Sequence, residues 1–295
     1  MKAIVGIDAA GFAIPAVQLL ARMQFPNLQA TLLNVADLVL PYTSFALGPG
    51  VEPTNELVEG LRQAGQIAVN EAAEVAKGLD LNATTEVVSG PSVLTLLDRA
   101  EGSRADLIAV ASTRKGFLAT TFTGSMSRSI VTGSRIPILV AKEGVKEEGP
   151  VIICLATDDS EYADRAVDQF LKMNPSGIGK IHVVTAFGIS DKEAELLHAN
   201  VPALGGRIHD FITEKLDEKG RMLVGKLSQH GYDAEYTIKE GQANKVIAEH
   251  MRATQAELLV MGAQGHGFIE RLFVGSVSFH QLVAEPYSVF ILRDQ

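Results

Sequence analysis

Ten short apolar runs punctuate the chain, at 3–7, 30–35, 84–88, 107–110, 137–141, 151–156, 180–186, 235–239, 258–261 and 288–292. Most hold four or five apolar residues in succession without polar alternation. That pattern fits strands covered on both faces, as in a parallel sheet with crossover helices. Between the runs lie stretches with helical spacing at 15–24, 56–78, 92–102, 125–133, 161–173, 206–230, 243–254 and 277–284. Strand and helix alternate throughout each half, so the expected class is α/β, with two tandem, open, doubly wound, mostly parallel five-stranded sheets carrying helices on both faces. In such sheets ligands bind beyond the carboxyl ends of the strands, where the strand order reverses. Chemistry is therefore sought after the first, second and fourth strand of each half.

The halves repeat each other at a spacing of about 150 residues, the mark of a duplicated domain. Ala3–Asp8 resembles Ile152–Asp158, Gly90 stands against Gly241, and Ala105-Asp106-Leu107 against Ala256-Glu257-Leu258. From Gly116 to Ser127, six of twelve positions are identical at an offset of 151. Residues 1–142 and 151–295 then form two domains, joined by a linker over 143–150. The stretch Lys142-Glu143-Gly144-Val145-Lys146-Glu147-Glu148-Gly149-Pro150 is charged and closed by proline, and reads as a solvated connection.

Composition narrows the function without naming it. The 295 residues are 46% hydrophobic and 21% charged, which excludes a disordered chain. A net charge of −9 opposes binding to nucleic acid or to anionic membranes. No apolar run reaches transmembrane length and no signal peptide is evident, so a cytoplasmic protein is expected. Cys154 is the sole cysteine, which leaves no intrachain disulfide and no cysteine zinc site. All seven histidines lie in the second half, without the spacing of a metal site.

The strongest chemical signal follows the fourth strand of the second half, where Leu258–Met261 runs into Gly262-Ala263-Gln264-Gly265-His266-Gly267. Nine residues separate Gly265 from Gly275-Ser276, which opens the last helix. Glycines let a ligand approach the backbone, and the free N–H groups of a helix start attract an anion. A tight turn alone would also use glycine. The buried strand before the loop and the Gly-Ser at the helix start favour a polyphosphate held from two sides. Ser276 and Ser278 could offer hydroxyls to it, Arg271 a charge, and His266 a contact or a shield. Neither a P-loop nor a G-x-G-x-x-G after the first strand is present.

Gly262-x2-Gly265-x9-Gly275-Ser276, with Asp158-Asp159-Ser160 and the doubled domain, resembles the universal stress protein family in its tandem form. The resemblance covers essentially the whole chain. It implies an adenine nucleotide alpha hydrolase-like, Rossmann-like fold that binds ATP, with Mg²⁺ shared between phosphates and water, and a role in stress response. It further implies domains paired through their fifth strands, within the chain or between chains of a homodimer. Carried over by position, Asp158 would meet the adenosine moiety and the Ala186 backbone the adenine edge. Gly262 and Gly265 would line ribose and phosphate, while Gly275, Ser276 and Val277 would hold phosphate at the helix start. Asp159 and Ser160 serve equally well as caps of the helix that follows.

The first half departs from this pattern. Ala111-Ser112-Thr113-Arg114 replaces the glycine turn, although Asp8 and Gly124-Ser125-Met126-Ser127 are retained. A vacant structural copy is the favoured reading, with an altered anion pocket around Arg114, Lys115 and Ser125 as its rival. The apolar stretch 38–47 is expected to cover a core or a partner, with burial within a dimer the favoured choice. No catalytic base stands beside the phosphate loop, so a regulatory ATP-binding protein, at most a slow ATPase, is the expected function. An interaction scaffold without functional nucleotide, with a protein partner of unspecified kind, and a nucleotide-using enzyme are the alternatives.

Overall fold

Every apolar run becomes a strand in the computed structural model, which describes residues 1–9, 13–37, 55–112, 125–188, 208–264 and 274–293. The strands are β1 (Lys2–Ile7), β2 (Gln29–Ala36), β3 (Ala83–Ser89), β4 (Leu107–Ser112) and β5 (Ile138–Lys142), then β6 (Val151–Thr157), β7 (Ile178–Phe187), β8 (Ala234–Glu240), β9 (Leu258–Gly262) and β10 (Ser288–Leu292). The helices described are α1 (Ile14–Met23), α2 (Asn55–Gly78), α3 (Ser92–Ser103), α4 (Ser125–Gly133), α5 (Glu161–Met173), α6 (Ile208–Gln229), α7 (Ala243–Thr254) and α8 (Ser276–Ala284). The apolar stretch 38–47, together with Arg114, Lys115, Gly124, Gly265, His266 and Arg271, lies outside the described residues.

The ten strands form one sheet in the order β3-β2-β1-β4-β5-β10-β9-β6-β7-β8. Within each half all pairings are parallel, and the halves meet through the antiparallel pair β5–β10, with Val140 opposite Val289 and Leu139 opposite Phe290. The fifth strands thus pair within the chain. Because side chains alternate across a strand, each of these strands feeds two cores. Leu139 and Phe290 join Leu20, Val69, Phe170 and Leu227 of α1, α2, α5 and α6 on one face. Val140 and Val289 join Leu96, Ile130, Ile247 and Leu282 of α3, α4, α7 and α8 on the other. Both cores therefore run across the joint.

Local signals explain the repeated turns. Gly90 and Gly241 both take positive φ, +151° and +141°, where a side chain would be strained. Each donates its N–H to the end of the second strand of its half, at Ala36 O and Phe187 O.

The joint changes the reading of one residue of the 142–150 stretch: residues 143–150 are exposed apart from half-buried Val145, but Lys142 belongs to the sheet. Lys142 is 3% exposed, on β5 itself. Arg22, on α1, is also buried, and its guanidinium bonds both carboxylate oxygens of Glu257 at 2.7 Å. It further donates to the carbonyls of Lys146, Gly149 and Pro150 at 3.1, 3.0 and 3.3 Å, which pins the connecting backbone to the sheet. Here charge does not mean exposure, because a five-donor fork can be satisfied in the interior. Beside it Gly177 N donates to Met23 O, and a Cβ at Gly177 would fall 1.8 Å from Arg22 O. Only glycine permits that approach.

Candidate functional site

The strand order reverses between β9 and β6, and a cleft of about 350 Å³ opens there at the carboxyl ends of the strands. Its walls come from β6, β7, β9 and the starts of α7 and α8. Asp158, Ala186, Gly262, Gly275, Ser276, Val277 and Ser278 all line it. Seven of the nine residues expected at the site are thus brought together; Gly265 and His266 lie outside the described residues.

Asp158 follows directly on β6 and is held by the start of α5. Its Oδ1 accepts from the Ser160 N–H at 3.1 Å and from the Ser160 hydroxyl at 2.6 Å. Ser160 in turn accepts from Ala163 N at 3.2 Å, the bond of a helix N-cap. Asp159 takes φ +56°, and its carbonyl accepts from Lys219 Nζ at 3.0 Å. The capping alternative for Ser160 is what the geometry shows, and through Asp158 the cap also orients a cleft carboxylate.

At the opposite wall, the Gly275 N–H donates to Ala263 O at 2.7 Å, clamping the two ends of the 264–274 segment together. The Ser278 hydroxyl donates to Gly262 O at 2.9 Å. That corrects one expectation: the proton of this buried serine is used to hold α8 against β9, so it is not offered to a phosphate. Ser276, in contrast, is exposed at the helix start. The first-turn N–H groups of α8 have no carbonyl one turn before them, so they carry the positive end of the helix dipole into the cleft. A Cβ on Gly262 would meet Gln264 O at 3.2 Å, a tight contact that keeps this wall backbone-only.

Sequence reading missed the other end of the cleft. Val184, Ala243, Ile247 and Met261 make an apolar pocket beside Ala186. The available signal was the spacing of Ala243 and Ile247, one turn apart at the start of α7. Asp158 is the one titratable side chain among the described lining residues. No group of three or more His, Cys, Asp or Glu that could hold a metal is assembled among the described residues. His182 and His250, the buried histidines among the described residues, stand elsewhere: His182 Nδ1 lies 2.7 Å from Glu235 Oε1, and its ring meets that of His250 edge-on.

The first half differs at the corresponding place. Asp37, at the end of β2, accepts from the Ser92 N–H at 2.9 Å and from its hydroxyl at 2.6 Å, capping α3. At an offset of 151 the second half has Gly188 and Ala243, and Ala243 lines the cleft. No helix among the described residues is long and apolar enough to cross a membrane.

Comparison with known proteins agrees with this architecture. The family model described as the Universal stress protein family matches residues 1–142 and again 152–280. A universal stress protein of Methanocaldococcus jannaschii is 29% identical over 102 residues, spanning 34% of this chain and 60% of the relative. One of Synechocystis is 21% identical over 148 residues, 48% of this chain and 96% of the relative. The crystal structure of a universal stress protein from Archaeoglobus fulgidus superposes with a TM-score of 0.69 at 17% identity, covering 98% of each chain, a likeness of fold. Matched twice along its length, the chain belongs to the universal stress protein family.

Proposed function

We propose that the cleft of the second half binds an adenine nucleotide, ATP with Mg²⁺, and that the protein is a regulatory nucleotide binder rather than a turnover enzyme. The observation that carries this reading is the division of one cleft into two chemistries. Val184, Ala186, Ala243, Ile247 and Met261 form an apolar end with the size and character for a planar base. Gly275, Ser276 and Val277 form a backbone-rich end whose helix-start N–H groups suit phosphate. Asp158 stands in the same cleft as an acceptor for ribose or base donors. Mg²⁺, a hard ion that keeps much of its water, would be held by the phosphates with at most one hydroxyl such as Ser276. A lone carboxylate, already engaged by Ser160, is a poor general base, which supports binding over hydrolysis.

In the first half the Asp37 carboxylate stands at the start of α3, the counterpart of the α7 start that lines the apolar end of the second half's cleft. A carboxylate at the base end, together with Ala111-Ser112-Thr113-Arg114 in place of the glycine turn, disfavours a nucleotide there, so a single nucleotide per chain is expected. Gentle purification, acid extraction and mass determination test both statements. One adenine nucleotide per chain supports the reading, none overturns it, and two overturn the vacancy of the first half. Gly265→Arg, which copies the first half, should abolish binding while leaving the unfolding transition in place.

A further inference from the structure

The cleft helix α8 is held at its far end by a residue of the other half. Lys142, on β5, reaches under the carboxyl end of α8 and donates from Nζ to Leu282 O and Glu285 O, each at 2.5 Å. The β5 backbone is fixed there too, since Lys142 N donates to Ser288 Oγ at 3.1 Å, at the start of β10. The same nine-residue helix starts with Ser276, Val277 and Ser278 in the cleft. One short helix thus has its amino end in the second half's cleft and its carboxyl end on the first half's cation.

We propose that Lys142 is a positioning residue for the cleft: the first half, through this side chain, sets how well α8 is placed to receive phosphate. The inference rests on the nucleotide reading above and adds to it a reason for the two halves to be one chain. The physical link is short. A nine-residue helix moves as a rigid rod, so a shift at Leu282 O is carried to the N–H groups of Ser276 and Val277. Carbonyls of a last turn have no partner within the helix, and a buried ammonium satisfies them while complementing the negative end of the dipole. Burial lowers the Lys142 pKa to about 7, against the opposing pull of Glu285, so the strength of this grip is open to change near neutral pH.

Arg293 supplies the control. It lies at the same place in the second half, and its Nη2 donates to Val131 O of α4 at 2.7 Å, so it grips the first half's last helix. Fluorescent ATP-analogue titrations at about pH 6, where Lys142 is charged, compare three variants with the unaltered full chain. Lys142→Met should weaken binding about five- to tenfold, the lower range of ordinary coupling between sites. Lys142→Arg should recover most of that loss, and Arg293→Met should bind as the unaltered chain does. Equal weakening by Lys142→Met and Arg293→Met would reduce Lys142 to general joint stability, and unchanged affinity in folded Lys142→Met would overturn the proposal. An unaltered chain that binds no nucleotide would instead remove the underlying reading. Should Lys142→Met fail to fold, hydrogen exchange on the unaltered chain decides, because coupling is reciprocal. ATP must then slow exchange at β5 as well as at the cleft, and protection confined to the cleft overturns the proposal.

Discussion

Lys142 and Arg293, 151 residues apart, each place a cation on the last helix of the opposite half: Lys142 on Leu282 O and Glu285 O, Arg293 on Val131 O. The exchange is a consequence of the antiparallel β5–β10 pair, which brings the end of each fifth strand beneath the neighbouring helix. The two cations are not equivalent. A guanidinium stays charged in the interior, whereas a buried ammonium can lose its proton.

Lys142 should make stability depend on pH in a defined direction. Its folded pKa of about 7 lies below the ordinary lysine value of 10.5, because burial disfavours the charged form. Between those values the unfolded chain holds a proton that the folded chain has lost, so stability rises with pH. Below about 7 both forms are protonated, and this contribution is absent. Urea unfolding between pH 7.5 and 9.5 should show a gain of about 1 kcal/mol per pH unit that Lys142→Met removes. A Lys142→Met protein with the same slope as the unaltered chain would contradict the assignment.

Glu257→Gln should cost about 3 kcal/mol of unfolding free energy, because it leaves the buried Arg22 guanidinium without its counter-charge. The exposed pair Arg99–Glu86 gives the contrast: Glu86→Gln should change stability by less than about 1 kcal/mol. Denaturant midpoints for the two variants check this, and equal midpoints would refute it.

Ser160→Ala removes a helix cap and the hydroxyl that orients Asp158. A loss of about 1 kcal/mol in stability is expected from the cap alone. If Asp158 meets the ligand, nucleotide affinity should fall as well, and Ser160→Thr should restore both. Calorimetric titration beside thermal unfolding separates the two effects.

Cys154 is fully buried on β6, and burial pushes its thiol pKa up to about 12. The thiolate is the reactive form, so the native protein should resist an aromatic disulfide reagent at neutral pH and react only as fast as it unfolds. Immediate stoichiometric reaction would show that β6 opens readily.

Much of this molecule was legible before any coordinates. Each of the ten apolar runs became a strand, with ends displaced by at most two residues, because a strand covered on both faces must be apolar in sequence. Gly262, Gly275 and Ser276 were legible for a related reason: close backbone approach and a helix start constrain residue type locally. The apolar end of the cleft was not, since Val184, Ile247 and Met261 look like ordinary core until the strand order places them around one opening. Ser278 was misread because a hydroxyl near a helix start serves a ligand or a backbone carbonyl equally well in sequence, and Gly262 O proved to be the partner.

The sequence by itself determined the duplication, the α/β alternation and the inequality of the two glycine turns, all of which are written in local periodicity and residue type. Only the tertiary structure decided that β5 and β10 pair within the chain, that Arg22 and Lys142 are interior, and that Asp37 caps α3 where the second half keeps Gly188. The reason is distance along the chain. Arg22 and Glu257 are 235 residues apart, and Lys142 and Leu282 are 140. A charge reads as exposed until folding brings its partner, and desolvation is tolerated only where that partner arrives.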